Sequence, residues 1–395
     1  MSNSQYEAAW VDHSDDVPPS LWAQLFPPPL EGDWWYRALE RSGLDDQFCF
    51  RYLLLKQGGI PVGLVPAFLM DVPMRLVVPP VLLPWVSAFG RVFPWLRAQR
   101  TLFVGSPCAE EGRIGLLPGV DVASALRCID AELINEMRRN GARVRVWKDF
   151  GVEWHPVLSS LAREAGLFRL VSFPGTEVAL QGGTREAYLQ SLGTNQRHQF
   201  KKKLRRSKEA VALGVEFLRQ PDDATLDKLF ALFWQTYEKA TTRFERLNRR
   251  FFGLIAAEPV ASFIVLRELT TAQPVAFMLC FESPGHLVNK FIGIDYQTPR
   301  AWFLYFRLWD AAVDYAISSG ATALQSGQTG YRPKIELGHR LVPLTNYCAH
   351  RNPVIHRIYA WVAAEVDWHT LDPALAAALE THPELRSPEG CVQNR

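Results

Sequence analysis

The sequence has little net charge, no paired-cysteine motif and no long unbroken apolar run, and each shortage removes a class of function. With 43 Lys and Arg against 41 Asp and Glu the formal charge is +2, so the chain as a whole is not a polyelectrolyte and any attraction to phosphates must be local. The six cysteines, Cys49, Cys108, Cys128, Cys280, Cys348 and Cys391, include no Cys-x-x-Cys pair. They offer neither a zinc knuckle nor a dithiol redox centre and read as reduced core or surface thiols. The longest apolar run, Leu76 to Phe89, is interrupted by Pro79, Pro80 and Pro84, so no membrane span is expected. The N-terminal MSNSQYEAAWVDHSDD is acidic and lacks an apolar signal core, which makes a soluble cytoplasmic protein the expectation. His-Glu-x-x-His, Gly-x-Ser-x-Gly and Walker patterns are missing. Metal and covalent-serine chemistry are therefore disfavoured, and no metal is expected.

What remains is a globular chain of 395 residues, 48% hydrophobic and with 13 tryptophans, long enough for two or three domains. Up to about residue 30, VPPS and FPPPL suggest an irregular arm. Asp33 to Arg41 suits a helix carrying Trp34, Trp35 and Leu39. Phe50–Lys56 and Ile60–Met70 are apolar runs flanking Gln57-Gly58-Gly59, a hairpin signal. Val72 to Gly90 and the following VFPWLRAQR show neither period. The stripe Leu126, Ile129, Leu133, Met137 predicts a helix ending at Asn140-Gly141, followed by a strand from Ala142 to Trp147. A helix over Pro156–Ala165 and strands at Phe168–Ser172 and Thr176–Leu180 complete the first half.

In the second half Thr184 opens a helix, and NQRHQFKKKLRRSKEA follows with Phe200 and Leu204 on an i, i+4 line while the basic residues project elsewhere. Val215–Leu218 is a strand, Asp222 or Asp223 caps a helix through Phe233, and another helix holds Phe251, Phe252 and Ile255. A second hairpin, Phe263–Glu268 with Pro274–Phe281, leads into the strand LVNKFIGID. A buried helix from Trp302 ends at Ser319-Gly320, a strand spans Ala321–Gln325, and a polar loop gathers Gly327, Gln328, Gly330, Tyr331 and Lys334. A polar loop past the end of such a strand is where an α/β sheet tends to place ligand groups. Both halves follow one recipe: aromatic helix, apolar hairpin, long helix ending at Gly, short strand. A tandem duplication explains this economically. The expected class is α/β with an α+β mixed sheet.

The pattern resembles the GNAT acyltransferase superfamily, and within it the two-domain Fem-like and BioF2-like branch of N-acyltransferases. The resemblance rests on TREAYLQSLGTNQRHQFKKKLRRSKEA, on the hairpin-strand-helix series from Phe263 to Gly320, and on SGQTGYRPKIELGHRLVPLTNYCAH. It implies two tandem GNAT-like domains: an N-terminal arm at 1–30, a first domain at 31–180 serving as scaffold, and a catalytic second domain at 181–395. GNAT domains hold the CoA pyrophosphate with a glycine-containing loop at a helix N-terminus. The corresponding DYQTPRAWF has no glycine, and its proline removes a donor. Fem-type transferases take their acyl group from aminoacyl-tRNA, so the resemblance favours that co-substrate, with acyl-CoA as the alternative and no permanently bound cofactor.

The expected reaction is direct attack of an amine, from a small molecule or a peptide, on the activated acyl group. It needs a deprotonated amine, a stabilised oxyanion and a protonated leaving group. Tyr331 is a candidate acid and Lys334 a candidate for stabilising negative charge; packing and surface exposure are the plain alternatives. Asp295 is a proton acceptor or a helix cap. Gln325, Gln328, Tyr296, Tyr347 and His350 are candidate substrate contacts. Arg197, Lys201, Lys202 and Arg205 are candidate contacts to the phosphates of a donor, a tRNA acceptor stem or CoA, or of an anionic acceptor, or else form a solvated helix face. A non-catalytic RNA- or partner-binding protein on a degenerate transferase fold is the reading from another class.

Overall fold

The computed structural model describes residues 5–27, 31–73, 98–240, 243 and 245–381. In chain order the first half runs β1 (Glu7–Val11), α1 (Pro19–Leu25), α2 (Asp33–Arg41), β2 (Cys49–Gln57), β3 (Ile60–Pro73), β4 (Ala98–Val104), the two-residue β5 (Gly115–Leu116), α3 (Val122–Arg139), β6 (Val144–Phe150), α4 (His155–Ala165), β7 (Phe168–Val171) and β8 (Gly175–Ala179). The second half runs α5 (Arg185–Ser191), α6 (Thr194–Ala210), β9 (Leu213–Leu218), α7 (Asp223–Lys239), α8 (Arg249–Ala256), β10 (Ala261–Glu268), β11 (Pro274–Ser283), β12 (His286–Ile294), α9 (Leu304–Ser318), β13 (Ala323–Ser326), α10 (Tyr331–Glu336), β14 (Arg340–Val342) and β15 (Thr345–His350), with α11 (Pro353–Ala364), α12 (Trp368–Leu371) and α13 (Pro373–Thr381) after it.

Two local expectations need correcting. Over residues 5–27 the N-terminal arm is regular: β1 pairs antiparallel with β2, and Pro19 begins α1 instead of breaking the chain, because its missing N–H costs nothing in a first turn. Trp22 of α1 is buried and stacks on Tyr36 at 5.3 Å. The polar loop after β13 is partly helical. Gly330, in the left-handed region at φ 68°, turns the chain into α10, whose Pro333 lies in the first turn where no intrahelical donor is required. Of the segment that showed neither period, residues 74–97 lie outside the described residues, while Val72 and Pro73 end β3 and Ala98–Arg100 begin β4.

Among the described residues, one eight-stranded sheet has the order β1-β2-β3-β4-β6-β15-β7, with β5 on β3, and a seven-stranded sheet has the order β14-β8-β13-β12-β11-β10-β9. Each contains the same unit, a hairpin and a third strand followed by a helix and a parallel strand: β2, β3, β4, α3, β6 in one and β10, β11, β12, α9, β13 in the other. This is the tandem recipe seen in the sequence. The units also trade strands. β8, from the first half, lies beside β13, and β15, from near the end, lies beside β6. A cut at residue 180 therefore does not separate the sheets, since each borrows a strand from across it.

Three cores follow. α3 and α4 cover one face of the first sheet, with Leu126, Leu133, Trp147 and Tyr347 buried. α5, α6 and α9 cover one face of the second, with Tyr188, Phe200, Trp309 and Leu324. The third joins the halves, packing Trp34, Trp35 and Phe68 with Phe233, Phe251, Phe263 and Phe281. This shared aromatic core ties the two units together alongside the exchanged strands.

Candidate active site

The parallel pair β12–β13 is in register only from His286↔Ala323 to Asn289↔Ser326. Beyond that β13 ends while β12 runs on to Ile294, so the strands part and open a gap in the sheet. On the other side of β12 the pairing jumps from Leu279↔Phe291 to Cys280↔Asn289, leaving Lys290 as the extra residue of a bulge. A bulge turns successive side chains to one face. Lys290 accordingly shares the interdomain face with Phe291, while Asn289 faces α9 beside Ser326, to whose Oγ its Nδ2 donates at 3.2 Å.

Lys290 is the cation of a buried cluster drawn from both halves. Its side chain is 1% exposed, pairs with Glu31 and lies 3.3 Å from Glu110, with its ammonium 4.9 Å from the Trp35 ring centre. Burial alone would discharge it, but Glu31 and Glu110 outweigh that and hold its pKa above the usual lysine value. Burial raises the Glu31 carboxyl despite Lys290, with Glu110 and Glu111 adding repulsion. A cavity of about 360 Å³ opens here, lined by Glu31, Glu110, Glu177, Arg113, His286 and Gln325 among others. A cavity of about 550 Å³ around Asp46, Gln47, Trp234 and Arg246 contains none of these groups.

Glu110 arrives on the loop that follows β4. That loop closes the first sheet's own gap: the Gly112 N–H donates to Asp149 O at 2.7 Å, and a Cβ on Gly112 would lie 2.0 Å from Lys148 O. Only glycine fits there. The loop's other side is held to α2, where Trp35 Nε1 donates to Ser106 Oγ at 2.8 Å, and reaches the second sheet, where the Glu110 carboxylate stands over Gly327, just past β13. Cys108 of the same loop is no nucleophile, since burial, with Glu245 next, pushes its thiol well up.

Lys334 lies where the two faces meet. It is 6% exposed, and its Nζ donates to Gly327 O at 2.5 Å. Burial pushes its pKa down to about 7, against an upward pull from Glu110. On the α9 side the ring of His339 is buried, its centre 4.5 Å from that of Trp309, and burial together with Lys334 holds it well below the usual histidine value, so the imidazole is neutral. Trp309 donates to Tyr188 Oη at 3.1 Å, and Tyr188 donates in turn to Leu337 O.

The candidates from sequence divide sharply. Lys334 and Gln328 come together at the gap, while Gln325, three residues before Gln328, lines the interdomain cavity. Tyr331 is adjacent but committed: it is buried, its hydroxyl donates to Pro174 O at 2.9 Å and to Gln328 O, and burial lifts its pKa far above the usual value. It anchors α10. A Tyr331→Phe variant removes the one hydroxyl proton that the Pro174 and Gln328 carbonyls share, so about 1–2 kcal/mol of stability is lost while kcat stays within about threefold; a drop of a hundredfold in kcat at full folding would restore Tyr331 as the acid.

Asp295 is displaced from this centre, about five strand residues, or roughly 16 Å, beyond Lys290. It accepts from the Gln297 N–H at 2.9 Å and from Thr298, so it closes a turn and caps no helix, α9 starting only at Leu304. Tyr296 is exposed beneath the Lys239 ammonium, 3.7 Å from the ring centre. Tyr347 and His350 are corrections of another kind, because β15 joins the first sheet. Tyr347 is in the first core against Ser159, and His350 accepts from the Asn352 N–H at 2.9 Å. Lys201, Lys202 and Arg205 are exposed on α6 and Arg197 is half-buried, whereas Lys203 and Arg206, passed over in the sequence, lean onto Phe306 and Phe303. Glu31, Glu110, Asn289, Lys290 and His339 were missed as well. The one local signal was a lysine and an asparagine inside the apolar strand LVNKFIGID.

The structure resembles FemX, with a TM-score of 0.53 and 10% identity over 83% of this chain and 93% of that one. A tandem GNAT protein from the clavulanic acid biosynthesis pathway gives 0.51 and 11% over 88% and 99%. L-PGS from Bacillus licheniformis gives 0.48 and 13% over 77% and 85%. No curated protein matches the sequence. Fold and topology thus define the class, two GNAT-like domains in tandem. Within that class, residues 181–367 match the model of the FemAB-like family, described as peptidoglycan biosynthesis/recognition.

Proposed function

We propose that the protein is an N-acyltransferase that moves an aminoacyl group from aminoacyl-tRNA to an amine, with chemistry at the gap beside β13. Lys334, pushed down to about 7, is the observation that carries it. A buried lysine near neutrality takes a proton from the acceptor ammonium, and the freed amine attacks the ester carbonyl. The new C–N bond forms a tetrahedral oxyanion. As the C–O bond breaks, the Lys334 ammonium protonates the ribose oxygen, and the second proton of the attacking nitrogen leaves to solvent. The acceptor approaches through the interdomain cavity, whose Glu31 and Glu110 suit an ammonium.

The donor assignment rests on the start of α9. Where a pyrophosphate loop would expose N–H groups, Phe303 occupies the left-handed region at φ 47°, with Arg206 over its ring and Lys203 over Phe306 and paired with Glu336. Aromatic side chains cover the place a glycine loop leaves open. Lys201, Lys202 and Arg205 stand on the outer face of α6 next to it, with Glu209 at 3.8 Å from Arg205 the one acidic partner there among the described residues.

Mass spectrometry of products, with charged tRNA pools and acyl-CoAs offered in parallel against an amine library, tests the assignment. Product that disappears on ribonuclease treatment supports it; dependence on CoA thioesters overturns the donor, and tRNA binding without product points to a non-catalytic RNA-binding protein. The triple variant Lys201→Ala, Lys202→Ala, Arg205→Ala should reduce the slope of log K against log salt by roughly 2–3. An unchanged slope removes α6 from the donor site.

A further inference from the structure

We infer that the acyl group transferred at this site carries an uncharged hydrogen-bonding side chain, of the hydroxyl or amide type, and that alkyl acyl groups are rejected. This rests on the transferase reading above and deepens it. Around the gap a set of buried polar atoms has no hydrogen-bond partner among the described residues: Asn289 Oδ1, Gln328 Nε2, Tyr305 Oη and both ring nitrogens of His339. Asn289 and His339 are each more than nine-tenths buried. Asn289 and His339 lie along one string of contacts, from Asn289 through Ser326 to Gly327 and Lys334, then to His339, Trp309 and Tyr188, with Gln328 next to Gly327 in the chain and Tyr305 one turn before Trp309 on α9. Buried polar groups are nearly always paired, so a group of them left open beside the reacting lysine marks a ligand position.

The inventory says what the ligand offers. Asn289 gives its amide N–H to Ser326, so its oxygen accepts. Gln328 Nε2 donates, the neutral His339 ring gives one donor and one acceptor, and the tyrosine hydroxyl does either. Donors and acceptors are mixed and these residues include no carboxylate, which fits a neutral group that both gives and takes a hydrogen bond. An alkyl side chain would leave them all unpaired, and sites built to hydrogen-bond a substrate group discriminate strongly against analogues that lack it.

The test uses the full chain, one acceptor amine and donors matched in size, seryl against alanyl and threonyl against valyl, each as charged tRNA and as a thioester. The hydroxyl member should be preferred in kcat/KM by about 10²-fold or more. Asn289→Leu and His339→Phe should bring the ratio towards unity, Asn289→Leu serving if the histidine variant does not fold. Equal rates, or a preference for alanyl and valyl, overturn the inference. Transfer from no donor defeats the transferase reading instead, and titration with L-serinamide and L-alaninamide, followed by NMR, then decides. Serinamide binding at least tenfold tighter, and lost in Asn289→Leu, upholds the polar subsite; equal binding overturns it.

Discussion

Lys334→Met lowers kcat/KM by about 10²–10⁴-fold, the range that a positioned proton-transfer group supplies, and leaves the fold intact. The second half follows from what methionine replaces: a desolvated amine whose bond to the protein is to Gly327 O, exchanged for an apolar side chain of similar length. The pH profile separates chemistry from packing. With a pKa pushed down to about 7, the wild-type rate climbs with pH and levels off above about 7–8 as the amine becomes neutral. Lys334→Arg keeps a charge at all these pH values and loses both the limb and the rate. Glu110→Gln removes the group that pulls Lys334 upward, so the limb moves to lower pH. Stability follows the same titration. The unfolded lysine holds its proton to near 10.5 while the folded one releases it near 7, so across that window the unfolded state binds more protons and stability rises with pH. A limb that stays put in both Lys334→Arg and Glu110→Gln would assign the titration to the acceptor amine and remove Lys334 from proton transfer.

How much of this was legible in the sequence depends on whether the information was local. Helices α2, α3, α6 and α9 and both hairpins are legible because apolar period, glycine stops and caps such as Thr184 and Asp222 act within a few residues. Lys334 and Gln328 fall in one polar cluster and stay together. Gln325 parts from Gln328 because strand alternation ends at Ser326 and the chain turns at Gly327. Asn289 and Lys290 read as polar neighbours of an apolar strand; ordinary alternation sends them to opposite faces, and the bulge at Lys290 sets it on the same buried face as Phe291. Glu31 and Glu110 reach Lys290 from more than 150 residues away, a pairing no local pattern carries. Tyr347 and His350 go to the other sheet because β15 is exchanged. That exchange is invisible to a repeat search, which aligns order along the chain and not the partners a strand finds.

Lys290→Met should be the most destabilising single change outside the aromatic core, by about 3–5 kcal/mol at pH 8, the cost typical of removing one member of a buried ion pair. Methionine fills the space against Trp35 and Phe281, the ammonium lying 4.9 and 5.9 Å from their ring centres, so little packing is lost. What is lost is the cation that Glu31 and Glu110 share. The Glu31 carboxyl, already raised by burial, rises further without it. A folded carboxyl with a raised pKa holds a proton that the unfolded chain has released, so stability falls as pH climbs from near 4.5 through the folded value. The deficit of the variant is therefore largest at pH 8 and shrinks towards pH 5. Adding Glu31→Gln removes one of the two stranded charges and recovers part of it. Urea unfolding of the three proteins at both pH values gives the answer, and a deficit equal at pH 5 and 8 would mean that shape, and not charge, is what Lys290 contributes. Because Lys290 lies beyond residue 180 and both glutamates before it, the loss also measures how firmly the first unit's loop is held over the second unit's gap.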